Sequence, residues 1–155
     1  MSVEEIVNEY GNMLFKLCIV LLCNEQDAQD AVQETFIRYM EHAPAFQNKA
    51  HEKAWLTKVA ANLCRDVYRS RMRHPTVNLD EISEYCELPE QGEVLSELMN
   101  LPSQLKTVIY LHYIEGYKTT EIAAMMGTTV NAVRKRLQRG RECLKLSLSE
   151  NSRSL

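Results

Sequence analysis

The chain lacks any apolar stretch near the roughly 18 residues that a membrane-spanning helix needs, and the run that ends at Cys23 is far too short. Its first residues, MSVEEIVNEY, are acidic and carry no secretory pattern, which predicts a cytoplasmic protein without membrane insertion. Five cysteines (Cys18, Cys23, Cys64, Cys86 and Cys143) are an odd number with no CxxC pair. Cys18, Cys64 and Cys143 stand among apolar neighbours, so buried reduced thiols are expected rather than disulfides. His42, His51, His74 and His112 are scattered without ligand spacing, which gives no case for zinc or any other metal. The five glycines form no phosphate-cradling loop, and no paired carboxylates or nucleophile with an adjacent base stand out. The expectation is a protein that is not an enzyme and needs no cofactor.

What the 155 residues do contain is 45% apolar and 25% charged side chains, the balance of an ordinary soluble globular protein with one domain or two small ones. The net charge of −3 hides a strong division along the chain. Residues 1–48 carry two basic and eight acidic groups, and residues 49–74 carry seven basic and two acidic. Residues 75–100 hold seven acids and no base, and residues 129–155 return to seven basic against two acidic. Because screening acts over about 8 Å in physiological salt, each basic block can meet a polyanion locally whatever the total charge.

The stretch 119–141, TTEIAAMMGTTVNAVRKRLQRGR, reads as two short helices broken by Gly127. Ile122, Ala123 and Met126 form the inner face of the first, Gly127 permits the positive φ of a sharp stop, and Thr128 or Thr129 can cap the second. In the second helix Val130, Val133 and Leu137 bury one stripe. Asn131, Lys135, Gln138 and Arg139 then point outward with Arg134 on the flank, a face suited to phosphates and base edges. This is the pattern of a DNA-reading helix-turn-helix. A solvated basic helix in a tri-helical core fits the same pattern.

In chain order, residues 3–22 are helix-compatible, with Ile6, Tyr10, Met13, Leu14, Leu17 and Leu21 at three- and four-residue steps. Asn24 can cap a second helix over 25–42, with Ala28, Val32, Thr35, Phe36, Tyr39 and Met40 on one side. Asp27, Asp30, Glu34, Arg38 and Glu41 form a narrow, mostly acidic stripe on another side. Gln33 and Ile37 border it, and an outward isoleucine beside an ordered polar row points to a protein partner. A loop over 43–51 precedes a helix over 52–72 whose apolar side is Trp55, Leu56, Val59, Ala60, Leu63, Cys64 and Val67. Opposite lie Lys58, Asn62, Arg65 and Arg69 with Asp66 nearby, a stripe that could track a phosphate backbone or simply keep the helix soluble.

Pro75 ends that helix, and the acidic stretch up to Gly92 is the best linker. Pro102 suits a first helical turn, with Leu105, Val108, Ile109 and Tyr113 as the apolar face before Gly116. The fold class expected is therefore all-α. Two small helical domains, 1–74 and 93–150, are joined by an acidic linker at 75–92, and the second contains the helix-turn-helix.

The order DAQDAVQETFIRYMEH, then Phe46 and AWLTKVAANLCRDVYRSR, then LPSQLKTVIYLHYIEGYKTTEIAAMMGTTVNAVRKRLQRGRECL closely resembles the extracytoplasmic-function (ECF) sigma factors of bacterial RNA polymerase. The resemblance covers most of the chain, and three motifs in the right order are far more specific than a lone helix-turn-helix. It implies a first domain that grips the β′ clamp of core polymerase and reads the minus-10 element, and a second that reads the minus-35 element. Contact with the β subunit and regulation by an anti-sigma factor are implied as well. By resemblance Asp30, Gln33, Glu34, Ile37 and Arg38 fall in the polymerase-binding segment, and Lys58, Asn62, Arg65, Asp66 and Arg69 where the minus-10 strand is met. The loop from Phe46 to His51 falls where family members hold a flipped base. Thr129, Asn131, Arg134, Lys135, Gln138 and Arg139 fall on the minus-35 recognition helix.

Two positions depart from the family pattern. Lys118 replaces a helix-capping serine or threonine, so Thr119 or Thr120 is expected to cap instead. Gly140 stands where a good helix former is common, so the tail helix is expected to bend or fray there. Outside this resemblance, the helix-turn-helix alone would also suit a stand-alone transcriptional regulator, and the acidic helix alone a decoy that binds polymerase. Neither needs the second nucleic-acid face at Lys58, Asn62, Arg65 and Arg69.

Overall fold

The computed structural model describes residues 2–71 and 97–153, with side chains over 2–70 and 97–145. The acidic linker expected at 75–92, and the boundary it marks, lie outside these residues. Every regular element among the described residues is helical. The chain divides into two compact units, Met1–Asn78 and Leu79–Leu155.

The first unit is three helices, each packed on the other two: α1 Val3–Leu22, α2 Glu25–His42 and α3 Lys49–Arg71. Ser2 starts α1 by accepting a hydrogen bond from the Glu5 N–H at 3.3 Å. Every residue from Leu17 to Leu22 is buried, so the apolar run too short for a membrane is the centre of this core. Cys23 stops α1 in the left-handed region, φ 51°, and Asn24 at once caps α2 through the Asp27 N–H at 2.9 Å. Asp27 is itself buried, which removes it from the outer acidic stripe that the spacing predicted. The reason is the tight α1–α2 corner, which folds the first turn of α2 against α1. Met40, expected on the inner side, is 54% exposed because it lies in the last turn of α2, where packing has run out.

α3 begins at Lys49, ahead of the expected residue 52, because Asn48 Oδ1 accepts from the His51 N–H at 2.8 Å. This brings Glu52 into the first turn and into the core. Its Oε1 accepts from Tyr10 Oη at 3.0 Å and its Oε2 from Tyr39 Oη at 2.8 Å. Burial, together with the hydrogen bond to the Glu52 carboxylate and its charge, pushes both phenols up to about 12. The folded state therefore holds these protons more tightly than the unfolded chain, whose tyrosines ionise near 10. Their contribution to stability is intact below pH 10 and is lost as pH rises from about 10 through 12. Chemical unfolding at a series of alkaline pH values should show this fall, and the Tyr10→Phe, Tyr39→Phe double variant should show a shallower one.

The second unit contains α4 Ser103–Ile109, α5 Thr119–Met126 and α6 Val130–Arg153, preceded by helical residues at 97–100. Pro102 sits at the N-cap of α4. α4 runs into a π-helical turn, Tyr110–Ile114, closed by the Glu115 N–H on the Tyr110 carbonyl at 3.1 Å. The wider turn rotates the side chains beyond it. Tyr110 and Leu111 are buried, whereas Tyr113, expected on the apolar face, is 54% exposed. Gly116, φ 79°, then turns the chain toward α5.

Neither Thr119 nor Thr120 caps α5. Lys118 is the N-cap residue, and the Glu121 carboxylate reaches back to accept from its N–H at 2.9 Å. Ile122, Ala123 and Met125 face inward, and Met126, expected there, is only half-buried. α5 ends on Gly127 at φ 63°, as its sequence position predicted. Thr129 then caps α6 by accepting from the Ala132 N–H at 3.1 Å. The helix does not end at Gly140 but runs through it to Arg153. Gly140 is buried at the crossing with α4, and a β-carbon built there would stand 2.7 Å from Ile109 Cγ1. Cys143, expected to be buried, faces solvent, while Cys18 and Cys64 are buried thiols.

Candidate nucleic-acid and polymerase interfaces

The outer face of α6 follows from what its inner face buries. Val133, Leu137 and Gly140 recur at steps of four and three and are buried. Asn131, Arg134, Lys135, Gln138 and Arg139 are thereby left exposed, together with the capping Thr129. Gln138 Nε2 donates to Glu142 Oε1 at 3.3 Å. Arg134, Lys135 and Arg139 make no hydrogen bond or ion pair among the described residues, so their donors are available to an anion. Just below them Arg141 Nη1 donates to Tyr113 Oη at 3.0 Å, which fixes one more guanidinium on this unit. The π-helical turn that brings Tyr113 to the surface left no signal in the hydropathy pattern.

On α3 the inner face is Leu56, Ala60, Leu63 and Cys64. Lys58, Asp66 and Arg69 are exposed, and Asn62 and Arg65 are half-buried. Arg65 Nε lies 3.9 Å from Asp66 Oδ1, close enough for attraction but too far for a hydrogen bond, and is buried without a hydrogen-bond partner. The residues of the predicted stripe are thus exposed or half-buried, with Arg65 held beside the Asp66 carboxylate.

The connection 43–48 between α2 and α3 carries an aromatic group that spacing did not reveal. Tyr39 and Phe46 stack with centroids 6.0 Å apart, and Trp55 meets Tyr39 edge-on at 6.1 Å and Phe46 at 5.9 Å. His51 sits edge-on to Phe46 at 5.3 Å. Tyr39 and Trp55 read in the sequence as ordinary core residues, yet both are half-buried and border the connection.

On α2, Asp30, Gln33 and Arg38 are exposed, with Glu34 and Ile37 half-buried among them. Two of its carboxylates have partners four residues away on the same helix. Gln26 Nε2 donates to Asp30 Oδ1 at 2.9 Å and Arg38 Nε to Glu34 Oε1 at 3.4 Å. Exposed pairs at this spacing stabilise by only about 0.3–0.5 kcal/mol, so they order the surface more than they hold the fold. Among the described residues no group of acids, histidines and cysteines could hold a metal ion, and no helix is long and apolar enough to cross a membrane.

Comparison with known proteins matches both units. Residues 6–74 match the family described as Sigma-70 region 2, and residues 91–144 match Sigma-70, region 4. The chain is 32% identical to the ECF RNA polymerase sigma factor SigW of Bacillus subtilis, an alignment that covers 94% of this chain and 88% of that one. It also resembles CnrH, solved in complex with the cytosolic domain of CnrY, at 27% identity and TM-score 0.69 over 96% of this chain and 88% of CnrH. The fold is shared with the sigma factor RpoE of Bartonella quintana, solved with the anti-sigma factor NepR, at 18% identity and TM-score 0.67, covering 94% of this chain and 96% of that one. The matches to regions 2 and 4, one over each of the two helical units, and the identity to SigW across nearly the whole chain place it in the family of ECF RNA polymerase sigma factors.

Proposed function

We propose that the chain directs core RNA polymerase to promoters by dividing recognition between its two units, with α3 and the 43–48 connection meeting the minus-10 strand and α6 reading the minus-35 element. The observation that carries this reading is the presence of two separate cationic faces, with Lys58, the half-buried Arg65 and Arg69 beside Asn62 in one unit and Arg134, Lys135 and Arg139 in the other. A stand-alone helix-turn-helix regulator would need only the second. Each row alone is a weak site. Fixed on polymerase at promoter spacing they act as one bivalent site, whose avidity exceeds that of either part. Opening the strands then requires no chemistry from this chain, because a captured unstacked base holds the open state by binding energy.

The polymerase-binding surface in this reading is the α2 row, Asp30, Gln33, Glu34, Ile37 and Arg38, directed to the β′ clamp, with further contact to the β subunit. Residues 1–74 and 93–150 serve as the two readers and 75–92 as the tether between them. An anti-sigma factor is the expected regulator, in line with the anti-sigma factor NepR in the solved RpoE complex. Gln33 and Ile37 test the assignment because neither is fully buried. Replacing both by alanine should weaken core-enzyme affinity by about tenfold or more, as loss of an interface anchor does. The unfolding free energy should stay within roughly 1 kcal/mol of the parent, as for surface changes. A fluorescence titration against core polymerase reads the first and a urea melt the second. Parental affinity in the double variant would remove α2 from the interface.

A further inference from the structure

Glu52 is a carboxylate where a carboxylate costs free energy. It lies in the first turn of α3, 7% exposed, with each oxygen taken by one phenol. A buried acid is tolerated only when its oxygens are hydrogen-bonded, and an apolar side chain would fill the same space without that requirement. The arrangement must therefore be explained by what it orients. The three groups come from three helices, Tyr10 from α1, Tyr39 from α2 and Glu52 from α3.

The two phenols differ in what else they touch. Tyr39 carries the 43–48 connection: its ring stacks on Phe46 and meets Trp55, and its carbonyl accepts from the Ala43 N–H at 3.1 Å. At the other end of the connection, the Gln47 N–H donates to His51 Nδ1 at 3.3 Å, and the His51 ring stands against Phe46. Tyr10 approaches the same carboxylate from α1 and has no ring contact with this aromatic group among the described residues.

We infer that Glu52 is a positioning residue for promoter opening, which acts through the Tyr39 hydroxyl to lock the rings around Phe46 before DNA arrives. This inference rests on the reading that the 43–48 connection meets the minus-10 strand. A ring free to rotate about its own side-chain bonds would present Phe46 in several orientations, and ordering them would then be charged against the binding of the unstacked base. The hydroxyl of Tyr39, anchored on a carboxylate that two other helices hold in place, removes that cost in advance.

The two tyrosines provide a matched test in the full chain with core polymerase. Tyr39→Phe and Tyr10→Phe each remove one hydrogen bond from the same carboxylate and keep the ring. Both should lower the thermal midpoint. Only Tyr39→Phe should reduce opening of a duplex promoter, by about tenfold, the factor expected for one hydrogen bond to a charged group, while Tyr10→Phe stays within about twofold. Glu52→Gln keeps the shape but offers one acceptor oxygen and one donor amide in place of two acceptors, so one phenol must accept instead of donate, and promoter opening should fall between the parent and Tyr39→Phe. Permanganate reactivity of the melted strand is the readout, with core-enzyme affinity measured beside it. Equal opening by the two phenylalanine variants would overturn the inference and leave Glu52 as a core residue. Parental opening by Phe46→Ala would instead overturn the underlying reading of the connection.

Discussion

Gly140→Ala should destabilise the C-terminal unit, although alanine is the better helix former by roughly 1 kcal/mol. The new methyl group would stand 2.7 Å from Ile109 Cγ1 and 2.9 Å from Cδ1, inside any real carbon–carbon contact. Ile109 is 4% exposed and lies in α4 directly ahead of the π-helical turn, so it has no free space to swing into. Overpacking of this kind costs about 1–3 kcal/mol, which outweighs the propensity gain. The loss should be largely rescued in an Ile109→Ala background, where the added methyl partly refills the cavity, so the two substitutions should couple strongly in a double-mutant cycle. Urea unfolding of the four proteins measures this. A more stable Gly140→Ala variant would show that the close crossing of α4 and α6 is not required. The crossing bears on function because Gly140 lies between Arg139 and Arg141, and its burial helps hold the outward face of α6 in register.

The second large effect divides the cationic residues by the step they serve. Lys135 and Arg139 are four apart on the exposed face of α6, with no internal partner among the described residues to release before they bind. One should read a base edge and the other anchor a phosphate. Alanine at the base-reading position should cost about 1–3 kcal/mol and relax preference at one minus-35 position, whereas alanine at the phosphate contact should weaken all sequences alike. Arg65 and Arg69 belong to the other unit, and in the proposed reading they serve strand opening. Their alanine variants should join polymerase normally and open duplex promoters poorly, and a premelted bubble should restore part of the activity. Selection of promoter variants with each mutant, with permanganate footprinting alongside, separates the two classes. A changed minus-35 preference in Arg65→Ala or Arg69→Ala would contradict the assignment, as would an unchanged one in Lys135→Ala and Arg139→Ala.

The elements that sequence reading located well are those whose ends are set by local chemistry. Asn24, Gly127 and Thr129 each satisfy or end a helix with their own atoms, so the bounds of α2 and the helix-turn-helix could be read from residue type and spacing. The exposed face of α6 was legible for a related reason, since Val133 and Leu137 define the inner stripe and everything opposite must face out.

What escaped the sequence depends on tertiary contact. Gly140 reads as a weak point in a helix, and only the nearness of Ile109 shows that the missing side chain permits a close crossing. Glu52 stands in the sequence as the expected start of a helix and nothing more, and its bonds to Tyr10 and Tyr39 from two other helices make it a buried hub. Asp27 fits a solvent-facing stripe by angle, but the turn at Cys23 and Asn24 folds its side inward. Met125 and Met126 are equally apolar neighbours, and the packing of α5 on α6 selects the first for the core. Periodicity assumes one rotation per residue, so it could not foresee the π-helical turn that exposes Tyr113.

Transcription by core polymerase supplied with the purified chain, on a randomised promoter library at physiological salt, tests the central claim most directly. The account predicts transcripts only when both proteins are present, from templates that share one element near minus-35 and another near minus-10 at a fixed spacing. It predicts also that the chain alone, with its net charge of −3 and seven acids in residues 75–100, binds the same duplexes poorly. Absence of transcripts with core polymerase, together with sequence-specific micromolar binding of duplex DNA by the chain alone, would contradict it.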